Sequence, residues 1–181
     1  FRLLDDQGKE THVAQSGLIA RDIGMPNHKS RYRAEAREYK LAKGQDKLEV
    51  RLHWSGPGGV KVVKTYTFRP NDYRIDLAYE IRNDGRQAHD IYLYAQLLRH
   101  EVKPEGGLAS MPTYTGGVIY TSDKKYEKID FDAMRSRKLE RDTENGWVAM
   151  LQHYFVSAWM PDDEGRHQLY SDTAGPEHFI L

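Results

Sequence analysis

Two groups of neighbouring side chains in the sequence could take part in acid–base chemistry. His153 lies between Gln152 and Tyr154, and His100 is followed directly by Glu101. Histidine and glutamate are common as the general acid and general base of an enzyme, provided that they face each other across an open cleft. The sequence assigns no carboxylate partner to His153, and a histidine hydrogen-bonded to the backbone in a core or at a sheet edge explains it more simply. We therefore keep His153 only as a candidate for a residue that lines a cleft.

Other catalytic and ligand-binding patterns are missing from the sequence. The eight histidines show no spacing typical of metal ligands, and the lack of cysteine excludes zinc–thiolate sites and thiol catalysis. No glycine-rich segment has a phosphate-binding pattern, and no G-x-S-x-G motif indicates a serine nucleophile. We therefore predict no catalytic residue, no metal site and no cofactor, and we do not expect the chain to be an enzyme.

Size and charge restrict the class of protein further. The chain has 181 residues, 27 of them basic and 27 acidic, so its formal net charge of zero gives no electrostatic attraction to nucleic acid. One domain is the default at this length. The apolar run GWVAMLQHYFVSAWMP at 146–161 is shorter than the roughly 20 residues of a bilayer span. We expect a single domain, no nucleic-acid partner and no membrane span in this chain.

The centre of the sequence indicates antiparallel strands. The segments LEVRLHW at 48–54 and YRIDLAYEIR at 73–82 both alternate apolar and polar residues. Turn signals separate such strands at intervals of about ten residues, which is the spacing of an antiparallel sandwich or barrel. DIYLYAQLL at 90–98 is apolar on both faces, as is typical of an inner strand. We predict a meander over 48–100, within an all-β fold that has few short helices.

Three other segments are less regular. RYRAEAREYKLA at 31–42 contains strong helix formers but no apolar face, so a polar strand is favoured over a helix. SDKKYEKIDFDAM at 122–134 predicts one helical turn capped by Ser122 or Asp123, followed by extended chain. RSRKLERDTEN at 135–145 is interpreted as a charged connector.

The apolar run at 146–161 fits two structures. Residues at helical spacing from Val148 to Trp159 would form one apolar stripe, whereas alternation fits two short strands broken near Gln152 and His153. Because the neighbouring pattern is β and the run is rich in aromatic and β-branched residues, strands are favoured. We predict two buried strands joined by a kink, with the tryptophans in the core.

A long loop is the best candidate for a contact surface. Residues 101–117 are rich in glycine and proline and predict an ordered loop. Loops carry binding residues more often than strands do. We place a partner-contact surface between Lys103 and Thr115, at five residues: Lys103, Pro104, Leu108, Met111 and Tyr114.

The order of several segments resembles the periplasmic domain of the bacterial YidC membrane protein insertases. The run at 146–161 is similar to a signature found late in that domain, and the resemblance extends from Phe1 to about Tyr170. The other matching segments are FRLLDD, HVAQSGLIARD, YKLAKGQDKLEVRLHW, KTYTFRPNDYRIDLAYEIRN and YTSDKKYEKIDFDAM.

This resemblance implies a fold, a location and a set of partners. The family's domain lies in the periplasm of Gram-negative bacteria, between the first two transmembrane helices of an inner-membrane protein that inserts and folds membrane proteins, alone or with the Sec translocon. The implied fold is an antiparallel β-supersandwich resembling galactose mutarotase. The implied partners are accessory Sec subunits, the translocon, and nascent membrane proteins reached through the parent protein. Insertion itself would belong to a charged groove among the transmembrane helices.

Alternatives remain open from the sequence. The family's domain begins before Phe1 and continues beyond Leu181, so we expect an incomplete copy without its first and last elements and the transmembrane region. The first hypothesis is a non-catalytic insertase and chaperone domain with a partner-contact or accessory role. The alternative is a mutarotase-like domain that binds or epimerises sugars, with His153 in its cleft. A structural spacer is the third.

Overall fold

The structure is a computed structural model, and it describes residues 4–7, 11–101, 114–152, 154–161 and 165–181. Antiparallel strands dominate these residues, which confirms the predicted all-β class. No helix within them is long and apolar enough to cross a membrane. The strands are β1 His12–Ala20, β2 Arg33–Ala34, β3 Leu48–Ser55, β4 Val60–Phe68, β5 Ile75–Asn83, β6 Ile91–His100, β7 Gly116–Thr121, β8 Lys125–Ile129, β9 Glu140–Thr143, β10 Gly146–Gln152, β11 Phe155–Trp159, β12 His167–Tyr170, β13 Asp172–Thr173 and β14 His178–Ile180, and the α-helix is α1 Phe131–Ser136.

The chain divides into two compact units, which we describe separately. The central unit is Ser16–Tyr94, and the larger unit combines Phe1–Gln15 with Ala95–Leu181. The chain passes from one unit to the other within strands β1 and β6. That the whole chain acts as a single domain remains a prediction.

The central unit is built on a four-stranded sheet of order β2-β3-β4-β5. Strands β3, β4 and β5 form the predicted meander. Leu48 of β3 lies opposite Phe68 of β4, and Phe68 in turn lies opposite Ile75 of β5. Asn71, in the turn between β4 and β5, has a φ of 58°, a conformation that asparagine tolerates better than most residues. Strand β6 does not continue this meander, as was predicted for 48–100, because it lies between β1 and β14 in a different sheet. It is an inner strand, as its two apolar faces indicated.

The apolar core of the central unit lies on one face of that sheet. Val60 and Val62 of β4 are fully buried together with Leu18. The ring of Trp54 packs against them, as the alternation of β3 predicts. Successive residues of a strand face opposite sides, so Lys64 belongs to the same row as the two valines.

The predicted polar strand at 31–42 is wrong except for two residues. Only Arg33 and Ala34 pair with β3. Beyond them the Tyr39 hydroxyl accepts hydrogen bonds from the backbone N–H groups of Glu35 and Ala36, each at 3.0 Å. This side chain takes the place of a partner strand and lets the chain turn locally.

In the larger unit, the apolar run at 146–161 forms two strands, as predicted. Strands β10 and β11 pair from Val148–Trp159 to Gln152–Phe155, and Tyr154 marks the kink with a φ of 73°. They belong to a sheet of order β11-β10-β7-β8. The expectation that both strands are buried is wrong for β11, since Val156 is 57% exposed.

The charged segment 122–145 contains more regular structure than its sequence indicated. Ser122 and Asp123 lie in a turn and cap no helix. The helix α1 begins after Asp130, whose side chain accepts a hydrogen bond from Ala133 N at 2.6 Å. The predicted connector at 135–145 contains strand β9, which pairs with β12.

The core of the larger unit joins that sheet to α1 and β14. Ile119 and Met150, on adjacent strands, are fully buried. The Phe179 ring of β14 is also fully buried and lies 4.6 Å, centre to centre, from the ring of Phe131. Helix α1 is too short to be stable alone, so this contact holds it in place.

Replacing Phe179 tests that contact. Phe179→Ala removes a fully buried ring, and we expect the free energy of unfolding to fall by about 3–5 kcal/mol. Phe68→Ala is the control, because that ring is more than one third exposed. Urea denaturation followed by circular dichroism would compare the two variants. Equal losses would contradict the position of Phe179 in the core.

Acid sensitivity tests an ion pair of the central unit. Lys61 Nζ lies 2.9 Å from Asp84 Oδ2, and this contact, with Arg82, lowers the pKa of the Asp84 carboxyl. A carboxyl whose pKa is lower in the folded state adds stability above its unfolded pKa, and that stability is lost as the pH falls through the folded pKa. We expect Asp84→Asn, and separately Lys61→Met, to reduce the loss of stability below about pH 4, measured by denaturation at several pH values. An unchanged acid profile in both variants would refute the assignment.

Candidate partner-contact surface

The structure describes only part of the predicted contact loop. Lys103, Pro104, Leu108 and Met111 lie outside the described residues, and so does the cleft candidate His153. Their predicted roles therefore remain predictions. Tyr114 is described, together with both strands that flank His153.

Tyr114 is fixed against the first residues of β7. Its hydroxyl donates a hydrogen bond to Gly117 O at 2.6 Å, and Lys128 Nζ lies 4.7 Å from the centre of its ring. Burial raises the pKa of the Tyr114 phenol to about 12. The side chain thus anchors the end of the predicted contact loop to the sheet, and any contact that it makes with a partner would use only its remaining exposed part.

The residue before His153 takes part in a buried polar chain within the larger unit. Gln152 Oε1 accepts a hydrogen bond from Arg99 Nη2 at 2.8 Å, and Arg99 Nη1 lies 3.2 Å from His12 Nδ1. The Arg99 side chain is only 3% exposed, and its burial lowers the pKa of the guanidinium. A guanidinium can only donate hydrogen bonds, so His12 Nδ1 must be the acceptor. This network fixes Gln152 at the end of β10.

The second acid–base candidate was His100 with Glu101, and the structure does not bring these two side chains together. The Glu101 carboxylate pairs with Arg135, whereas the His100 ring meets the edge of His178 at 5.0 Å between ring centres. The Glu177 carboxylate also lies beside His100, with 3.8 Å between Nε2 and Oε2. Successive strand residues face opposite sides, which is why His100 and Glu101 separate.

Three aromatic side chains lie side by side across the sheet of the larger unit. Trp147, Tyr120 and Tyr126 are directly opposite one another on β10, β7 and β8. The Trp147 and Tyr120 rings are stacked at 5.7 Å, and Tyr126 meets Trp147 edge-on at 6.3 Å. We call this set the aromatic row. Trp147 is only partly buried and does not pack against the core, so its predicted place in the core is wrong, whereas Trp159 packs against the core as predicted.

The aromatic row lies on the face opposite the core, which we call the outer face. Val156 and Ala158 of β11 are exposed on the same face, and Met160 just beyond the strand is 62% exposed. Between the row and β11, Val118 and Ala149 are fully buried. The middle of the outer face is therefore covered, and its exposed apolar side chains lie at the two ends. Exposed apolar side chains that lie together mark contact sites more often than scattered single ones do.

Sequence reasoning missed the outer face. Alternation within each strand indicates that Trp147 and Tyr126 each share a side with their second neighbours, but it does not show which residues of different strands stand together. That information lies in the register, which depends on long-range pairing.

A different polar cluster lies in the central unit around Lys64. This lysine is 6% exposed, and its Nζ lies 5.0–5.8 Å from the ring centres of Tyr32, Tyr66 and Tyr79. Its ammonium also donates to Ser16 O at 3.5 Å. Burial raises the pKa of the Tyr32 phenol to about 12. Cation–π contacts stabilise a desolvated ammonium, so this cluster explains how a lysine is accommodated in an apolar row.

One shallow depression of the larger unit is polar. Its volume of about 210 Å³ is below the usual range of small-molecule sites. Among the residues that the structure describes, no group of histidines and carboxylates is arranged to hold a metal ion. The depression is lined by Ser122, Asp123, Asp142, Thr143, Glu144 and Arg166.

The paired antiparallel sheets place the chain among all-β domains, and comparison with known proteins gives its family. Residues 1–180 match the family model described as the YidC periplasmic domain. The chain therefore belongs to the YidC periplasmic domain family. The membrane protein insertase YidC of Methylobacillus flagellatus is 45% identical over 94% of this chain and 31% of its own length. The insertases of the same name from Methylococcus capsulatus and Nitrosospira multiformis are 43% and 39% identical, each over 99% of this chain and 33% and 32% of their own lengths.

The comparisons confirm the resemblance inferred from the sequence and the predicted periplasmic location of this domain. They give no support to the mutarotase-like alternative. The chain spans about a third of the length of the curated relatives it matches.

The buried chain around Arg99 yields a stability prediction. Gln152→Ala leaves a buried guanidinium N–H without its acceptor, and we expect the free energy of unfolding to fall by about 1–3 kcal/mol. Gln152→Glu keeps an acceptor and should recover most of this loss. The matched control is Gln168→Ala, because that amide is exposed on β12. Urea denaturation at pH 7 measures all three, and a loss as large in the control would contradict the role of Gln152.

Proposed function

We propose that this chain is a non-catalytic contact domain of a YidC-type insertase, which inserts and folds membrane proteins at the bacterial inner membrane. The observation that carries the proposal is the match to the YidC periplasmic domain over residues 1–180. It is supported by relatives named membrane protein insertase YidC at 37–45% identity over most of this chain.

The proposal divides the work between this domain and the rest of the parent protein. Because the chain spans about a third of its relatives, the insertion step would belong to the remaining two thirds. The resemblance implies that transmembrane helices perform that step. This domain would instead act on the periplasmic side, where parts of a membrane protein and of its translocation machinery emerge.

The partners that we propose are accessory Sec subunits, the Sec translocon and, through the parent protein, nascent membrane proteins. Their supporting observation is the apolar outer face of the larger unit, with the aromatic row at one end and β11 at the other. The formal net charge of zero favours neither nucleic acid nor an anionic surface. The loop from Lys103 to Thr115 leads directly into β7 and remains the second proposed contact.

Site-specific photo-crosslinking tests this function. A photoreactive amino acid at Tyr126, in the parent protein of living cells, should crosslink to a Sec subunit or to a nascent membrane protein, because Tyr126 is half exposed on the outer face. The same group at Tyr73, a fully exposed tyrosine of the central unit, is the matched control. Mass spectrometry would identify the products.

Two results would count against the proposal. Equal products from Tyr126 and Tyr73 would show random collision in place of a contact surface. No product from Tyr126, combined with unchanged Sec association after alanine substitution of Lys103–Tyr114, would remove the proposed contact role.

A further inference from the structure

Asn145 is the only one of the four asparagines in the chain that precedes a glycine. It is exposed in the connection between β9 and β10, and Gly146 is the first residue of β10. In such a dipeptide the backbone nitrogen of the glycine can attack the side-chain carbonyl carbon of the asparagine, since glycine has no side chain to hinder the approach. The attack requires a free side-chain amide, a glycine N–H group without a hydrogen-bond partner, and water.

The side-chain amide of Asn145 is free. Among the described residues, none forms a hydrogen bond with it. Two other asparagines have their side-chain amides engaged. Asn27 Oδ1 accepts a hydrogen bond from Lys29 N at 2.8 Å, and Asn83 Nδ2 donates one to Gln87 O at 2.7 Å. The target of the attack is therefore available at Asn145.

The N–H group of Gly146 has no partner in the sheet. Gln152 and Phe155 pair on either side of a two-residue connection, so their backbone groups bond to each other. The direction of these groups alternates along β10, and Gly146 precedes Gln152 by an even number of residues, so its N–H points to the β11 side. The last pair on that side is Val148 with Trp159. Beyond that pair, no described residue bonds to the nitrogen of Gly146.

The Asp84–Gly85 pair provides a contrast within the same chain. Aspartate can undergo the same attack, but an ionised carboxylate is a poor target for a nucleophile. Lys61 and Arg82 lower the pKa of the Asp84 carboxyl and keep it ionised. The N–H of Gly85 already donates to Asn83 Oδ1 at 2.9 Å. Neither the target nor the nucleophile is available there.

The hydroxyl of Thr143 is placed where it can assist the reaction at Asn145. It donates a hydrogen bond to Asn145 O at 2.7 Å. Loss of the proton from Gly146 N puts negative charge on this same oxygen, because the peptide group is conjugated. A hydrogen bond to a charged acceptor is about twice as strong as one to a neutral acceptor, so Thr143 stabilises the reacting form most. Thr143 and Glu144 also line the polar depression, through which water reaches this connection.

We propose that the Asn145–Gly146 dipeptide is a site of spontaneous deamidation, assisted by Thr143. Gly146 N loses its proton to water and attacks Asn145 Cγ. The side-chain nitrogen then takes up a proton from water and leaves as ammonia, which closes a cyclic imide. A water molecule opens this ring at either carbonyl and gives aspartate or isoaspartate at position 145. The inference goes beyond the proposed function and does not depend on it.

Isoaspartate would lengthen the main chain by one methylene group directly before β10. The space there is restricted, because a Cβ atom added to Gly146 would lie 2.7 Å from Tyr120 O and 2.9 Å from Leu169 Cδ1. The same crowding explains why the residue after Asn145 is glycine. Because the register of β10 decides which residues face the core, isoaspartate should weaken the larger unit. Aspartate at the exposed position 145 should not.

Ageing of the complete 181-residue chain at pH 7, folded and unfolded in guanidinium chloride, tests the proposal without any variant. Trypsin releases peptide 142–166, which contains Asn145, and peptide 83–86, which contains Asp84. Mass spectrometry detects loss of the amide, and enzymatic methylation detects isoaspartate. We expect peptide 142–166 to react at least as fast in the folded chain as in the unfolded chain. Peptide 83–86 should react about tenfold more slowly when folded, because Gly85 N–H must first break its hydrogen bond.

A slower reaction of Asn145 in the folded chain than in guanidinium chloride would overturn the proposal, because the fold would then protect the site. The rate should also rise with pH, since the reacting form is the deprotonated nitrogen. Aged chain that contains isoaspartate should unfold at a lower guanidinium concentration than fresh chain, whereas the variant Asn145→Asp should unfold like fresh chain.

Variants of Thr143 test the assistance. Thr143→Val removes the hydroxyl and should slow the reaction about fivefold, whereas Thr143→Ser keeps the hydroxyl and should recover most of the rate. Asn145→Gln is the control for the assay and should abolish the change in peptide 142–166. A rate in Thr143→Val equal to or above that of the unsubstituted chain would refute the role of Thr143.

Discussion

The register of strand β10 is the constraint on which the larger unit depends. This strand is hydrogen-bonded on both sides, to β7 and to β11, so its register sets which residues of β7, β10 and β11 share a face. Val148 and Met150 face the core with Ile119, while Trp147 faces outwards with Tyr120. A slip of one residue would exchange the two faces and place the aromatic row in the core. Both the stability of the unit and its apolar outer face thus follow from one register.

The sequence predicts the strands well where one face is buried and the other is wet. Strands β3 and β5 show that alternation, and the two strands at 146–161 follow from their β-branched and aromatic composition. It does not predict that β6 leaves the meander, because a strand with two apolar faces fits between any two neighbours and local residues do not select them. Helix α1 was missed for a related reason. Six residues carry too little periodicity, and the helix depends on the cap of Asp130 and on burial against Phe179.

The candidate site was only partly accessible from the sequence. Its composition directed attention to Tyr114 and to the run around His153, whose proposed roles remain predictions, but the outer face exists only through pairing between distant strands. The sequence also gave no sign of the two buried cations, Lys64 and Arg99. Lysine and arginine usually lie at the surface, and burying a charge is costly unless neighbouring groups compensate for it. Tyrosine rings surround Lys64, whereas the amide of Gln152 and the imidazole of His12 receive Arg99. Apart from Tyr66, which is two residues from Lys64, these partners are distant in the chain, so no local pattern indicates the two clusters.

Charged side chains are unevenly distributed among the strands at the edges of the sheets. With 27 basic and 27 acidic residues in the chain, charge was available for every edge, and strands β5 and β8 each carry several charged side chains. Strand β11 has none, and its exposed side chains Val156 and Ala158 are apolar. The uncharged part of this sheet therefore coincides with the exposed apolar side chains of the outer face, whereas the charged side chains lie on the strand at the other edge.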